Sequence, residues 1–84
     1  MPEELIGHVI HYYDRIGVAV VKLTDGSMKV GDTIHITGKN DFQQQVSSMQ
    51  VEHQGVEKAK KGSEVAIKLD QAVKEKDNIH KVVS

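Results

Sequence analysis

Five histidines, at positions 8, 11, 35, 53 and 80, are the residues of this chain best suited to proton or metal chemistry, and no cysteine shares either task. An imidazole titrates near neutral pH and ligates transition metals through either nitrogen. Spacing decides whether it can do so here. His8 and His11 lie three apart in a segment that alternates as a strand does, which sends them to opposite faces; a helical His-Glu-x-x-His pair shares one face. No metal site is expected. Asp14 with Asp25, and Glu52 with Glu57, could serve as acid/base pairs, yet all four fall in or beside turns, where charge is ordinary, and no nucleophile stands beside a plausible base. The chain by itself is therefore not expected to be an enzyme, and no cofactor is implied.

The densest positive run is Lys58, Lys60 and Lys61, with Glu57 beside it. Such a run can neutralise backbone phosphates, with Tyr12 or Tyr13 as stacking surfaces, or it can simply keep a loop solvated. A formal net charge of −1 excludes a globally basic nucleic-acid binder, so any RNA contact would have to be local.

Eighty-four residues make one domain, 1–84, with 38% hydrophobic and 27% charged residues, too apolar for obligate disorder. Aromatic residues are few, so the core must come from Val, Ile and Leu, which favour strands. The acidic start Met1-Pro2-Glu3-Glu4 and a longest apolar run of only Val18 to Val21 argue against export or membrane insertion, and the lack of cysteine suits a reducing cytoplasm.

Six strands are expected. Leu5 to Tyr13 and Ile16 to Leu23 form a hairpin around Asp14-Arg15. Lys22 turns its own face outward, which points Gly17, Ala19, Val21 and Leu23 inward and leaves Ile16, Val18 and Val20 outside. This outer strip is either covered by a loop or terminus, or relieved by a bulge that switches the faces midway, or it is a partner surface. Thr33 to Thr37 is the cleanest strand. Phe42 to His53 changes phase midway, which a bulge at Ser47-Ser48 would reconcile. Gln54 to Gly62 reads as a loop with one helical turn, and Glu64 to Leu69 and Asn78 to Val83 complete the set. Gly26, Gly31 and Gly38 punctuate the middle of the chain where positive φ is useful. The fold class is all-β, a small closed six-stranded antiparallel barrel of Greek-key type over about residues 5–83.

The segment Gly26-x-Met28-Lys29-Val30-Gly31-Asp32-x-Ile34-x-Ile36-x-Gly38, the Val46-Ser47-Ser48-Met49 stretch and Lys61-Gly62-Ser63-Glu64-Val65-Ala66-Ile67-Lys68-Leu69 resemble the second domain of translational GTPases such as elongation factor Tu. Val73-Lys74-Glu75-Lys76-Asp77-Asn78-Ile79 is similar to that domain's last turn, so the likeness covers about residues 5–83. The same barrel occurs as a terminal domain of collagenase-like peptidases and in free-standing elongation-factor-like proteins, the kind this chain most resembles. Without a Gly-x-x-x-x-Gly-Lys-Ser/Thr loop, no nucleotide is expected. The resemblance implies a non-catalytic module contacting RNA, the ribosome or a translation factor through Arg15, Lys22, Lys58, Lys60 and Lys61. The alternative is a protein-interaction or oligomerisation barrel serving a larger enzyme such as a peptidase, with Ile16, Val18 and Val20 as its surface.

Overall fold

A computed structural model describes residues 3–82. β-Branched residues alternate with polar ones along most of the chain, and strands form there. They are β1 (Glu3–Tyr13), β2 (Val18–Leu23), β3 (Ser27–Lys29), β4 (Thr33–Thr37), β5 (Phe42–Gln45), β6 (Met49–Val51), β7 (Gln54–Val56), β8 (Lys58–Lys60), β9 (Glu64–Lys68) and β10 (Asn78–Val82). Eight of them build one antiparallel sheet in the order β5-β4-β10-β1-β2-β9-β6-β7, while β3 and β8 pair as a separate ribbon. No helix occurs among the described residues.

The sheet curls so that its inner face encloses one core. Ala19, Val21 and Leu23 point inward as the alternation requires, and they meet Ile6, Val9, Ile34, Ile36, Val65, Ile67 and Ile79. Met28 and Ala59, opposite each other in the β3–β8 ribbon, add its inner face to the same core. Register shifts in β1, between Leu5 and Gly7 and between Val9 and His11, help the long strand to bend. At Gly7 the β1 and β2 backbones approach so closely that a Cβ would strike the Lys22 carbonyl.

The architecture is a half-barrel rather than a closed six-stranded barrel. Phe42 to His53 is not one bulged strand: it breaks at Val46-Ser47-Ser48, so that β5 pairs with β4 at one end of the sheet and β6 pairs with β9 and β7 near the other. Two edges, β5 and β7, therefore remain. A side chain spans part of the gap. Gln44 Nε2 donates to the Lys68 carbonyl at 2.9 Å, and the Asp70 N–H donates to Gln44 Oε1 at 2.7 Å, so one carboxamide takes the place of a strand's peptide group.

Three local expectations also change. The expected loop from Gln54 to Gly62 holds β7 and β8 and no helical turn, and the connection from Thr24 to Asp32 contains β3. The shift in β1 pairs His8 with Lys22 and His11 with Val20, two residues on one side of β2, so the two histidines share a face instead of opposing each other. Val83, the last residue of the expected closing strand, lies outside the described residues.

Candidate functional surfaces

The basic residues singled out by sequence divide into two places. Arg15 is exposed in the turn between β1 and β2, whereas Lys22 lies near the opposite end of β2 and donates from Nζ to the Gly62 carbonyl at 3.3 Å. Lys58 and Lys60 project from the outer face of the ribbon because Ala59 between them points into the core, and Lys61 follows in the turn to β9. Lys22 thus approaches the lysine run, and Arg15 does not. Alternation across the ribbon adds a residue that sequence reasoning missed: Lys29 stands directly opposite Lys58.

The apolar strip is partly open. Ile16 is 62% exposed, Val18 and Val20 are half-buried, and Tyr13, opposite Val18, is 48% exposed. His11, opposite Val20, packs edge-on to Tyr13 with ring centroids 4.3 Å apart. Val20 and Ala66 also line a shallow cleft of 570 Å³ beside the β6–β7 hairpin. The tip of that hairpin holds Glu52 and His53 at φ 53° and 66°, the left-handed geometry of a tight two-residue turn that usually takes Asn-Gly.

A third cluster centres on His35, which alternation along β4 turns outward. Nδ1 lies 2.8 Å from Glu3 Oε1, and Nε2 lies 2.5 Å from Asp41 Oδ1. With a carboxylate at each ring nitrogen, both contacts become donor–acceptor pairs only when the ring carries both protons. The hydrogen bond to Asp41, then that to Glu3, raises the His35 pKa above its ordinary 6.5, against a smaller opposing effect of burial. His80 lies next to it across the sheet, ring centroids 6.0 Å apart, within 3.4 Å of Thr37 Oγ1. Among the described residues no group of three His, Cys, Asp or Glu side chains is placed to hold a metal. Alternation separates His35 from Ile34 and Ile36, but no local pattern pairs it with Glu3, thirty-two residues away.

Asp32 and Asp77 show what the turn motifs do. Asp32 Oδ2 accepts the Lys29 N–H at 3.0 Å and lies 3.6 Å from Lys81 Nζ, so the Val-Gly-Asp triplet ties the bend after β3 to β10. Asp77 is buried and accepts the N–H groups of Lys74 and Lys39. These carboxylates hold backbone together.

No family model matches the chain. It is 42% identical over 77 residues to an uncharacterized protease of Methanocaldococcus jannaschii, an alignment taking in 89% of this chain and 19% of that protein. It is 35% identical over 78 residues to a collagenase of Porphyromonas gingivalis, covering 90% of this chain and 22% of that one. The chain therefore spans about a fifth of the length of the curated relatives it matches. In fold it is similar to the crystal structure of the C-terminal domain of a putative U32 peptidase from Geobacillus thermoleovorans, with a TM-score of 0.87 at 20% identity over 95% of this chain and 93% of that one. The selenomethionine variant of that domain superposes with a TM-score of 0.86 at 21% identity, covering 93% and 99% of the two chains.

These matches overturn the expectation of a translation-factor-like module that contacts RNA or the ribosome, since the relatives found are a protease and collagenases. The Val-Gly-Asp motif behind that expectation is accounted for by turn chemistry: Gly31 bends the chain at φ 97°, and Asp32 accepts a backbone N–H. Of the two resemblances read from the sequence, the likeness to the terminal barrel of collagenase-like peptidases is the better match.

Proposed function

We propose that this chain is an accessory β-domain that serves a larger peptidase by binding protein, and that the cleavage chemistry belongs to the remainder of such an enzyme. The observation that carries this reading is the alignment of nearly the whole chain to only 19% of a protease. The strip of Ile16, Val18 and Val20, joined by Tyr13, supplies a surface: exposed Ile16 and Tyr13 beside half-buried Val18 and Val20 are groups that a protein interface buries. The domain 1–84 then acts as one docking unit, with Arg15 in the turn beside the strip able to meet an acidic rim on the partner.

Reconstitution tests the reading. The Methanocaldococcus jannaschii protease lacking its matched segment, mixed with this chain, is expected to form a complex that survives gel filtration. Ile16→Asp combined with Val20→Asp should weaken that complex at least about tenfold, because two charges would be desolvated in an apolar contact. A truncated protease that ignores the parent chain at micromolar concentration would remove the basis of the proposal.

A further inference from the structure

The outer face of the β3–β8 ribbon carries a charge arrangement that folding alone does not favour. Residues directly opposite in an antiparallel pair project to the same side, and the register sets Lys29 against Lys58 and Ser27 against Lys60. Like charges in direct opposition destabilise a two-stranded ribbon. Neither Lys29, Lys58 nor Lys60 has a carboxylate within salt-bridge distance among the described residues. Lys61 follows in the next turn, so that four lysines gather on and beside the ribbon, with Glu57 next to Lys58 and Asp32 accepting the Lys29 N–H. The lysines flank apolar surface: Val30 is 41% exposed and shares a shallow cleft of 440 Å³ with Lys29, Glu57 and Lys58.

We propose that this face, Lys29, Lys58 and Lys60 with Val30, binds an extended acidic segment of polypeptide. Lys58 and Lys60 are two residues apart on one strand, and an extended peptide repeats its side chains on one face at the same two-residue interval, about 6.6 Å. A Glu-x-Glu segment therefore places a carboxylate at each ammonium group. A single-stranded nucleic acid would need a stacking platform beside the lysines. Neither the phenylalanine nor the tyrosines supply one, because Phe42 is buried, Tyr12 packs against the core, and Tyr13 lies at the other end of the β2–β9 ladder, level with Lys68. This surface differs from the strip around Ile16, and the proposal does not depend on the peptidase reading.

The test uses the intact chain and a labelled peptide alternating Glu and Val, with the same peptide carrying Gln for Glu, and an oligouridylate of equal length, as competitors. The Glu peptide is expected to bind with an affinity that falls as salt is added, and to shift the backbone amide resonances of residues 27–30 and 57–61. The double variant K29Q/K58Q should bind about tenfold more weakly, while melting at the same temperature as the parent or higher. Lys68→Gln, on the far side of the molecule, should bind as the parent does. Three results would each overturn the proposal: no binding of the Glu peptide at millimolar concentration, unchanged binding in K29Q/K58Q, or tighter binding of the oligouridylate than of the peptide.

Discussion

Gly38 shows how a residue read as turn punctuation takes its meaning from a distant side chain. It sits at φ 141°, and a Cβ there would run into the carboxylate of Asp77, which accepts the Lys39 and Lys74 N–H groups. Gly31 also has positive φ, 97°, but open space surrounds its missing Cβ. Gly38→Ala should therefore cost roughly 3–4 kcal/mol, combining backbone strain with displacement of a buried carboxylate, and Gly31→Ala only about 1–2 kcal/mol. Urea unfolding of the two variants measures the difference. His35 makes a second prediction at this scale. Its pKa is raised in the folded state, so the stability it contributes is fully present below its ordinary 6.5 and disappears as pH climbs through the higher folded value. Melting curves of the parent and His35→Gln between about pH 5 and pH 9 should converge as pH rises. An NMR titration should show a larger downward shift of the His35 pKa in Asp41→Asn than in Glu3→Gln, since Asp41 is the greater cause.

Among the elements, β5 and β9 matter most for the shape of the molecule, because their junction relies on a side chain. Gln44 shares the inward phase of Phe42 and Val46, yet its carboxamide goes to the backbone of Lys68 and Asp70. Gln44→Ala should lower stability by about 1 kcal/mol and speed hydrogen exchange at the Asp70 amide, which loses its acceptor. Gln44→Glu keeps the acceptor for Asp70 but loses the donor to Lys68, and should not restore the parent's stability. The β1–β2 hairpin also depends on local detail. The Gly17 and Ile16 N–H groups both donate to the Tyr13 carbonyl, a turn that leaves Ile16 at the hairpin tip, where a partner can reach it.

For the whole molecule, an incompletely closed sheet leaves more surface for recognition than a sealed cylinder would. The apolar strip ends on Ile16 at the β1–β2 tip and the lysine ribbon lies toward the other end of β2, so the two proposed contacts engage different residues of one domain. Linking two weak contacts in this way raises overall affinity without any new contact. If both proposals hold, Ile16→Asp with Val20→Asp should weaken capture of the truncated protease while leaving binding of the Glu peptide unchanged, and K29Q/K58Q should weaken peptide binding while leaving capture unchanged. Such independence is checked in one experiment by binding the two ligands in turn to each variant.

The amino-acid sequence by itself determined the all-β class, the inward residues of β2, β4 and β9, and the two resemblances between which the comparisons chose. Period-two alternation is a local property, and in Val18 to Leu23 or Thr33 to Thr37 it leaves one solution for which side is buried. The tertiary structure alone decided how the strands close. Phe42 to His53 reads as one bulged strand and is two, because local periodicity does not encode which partner each half will find. The same limit hid Lys29 opposite Lys58, and His35 between Glu3 and Asp41. Those neighbours are created by register and by turns tens of residues apart, and a local pattern carries no record of contacts made across the sheet.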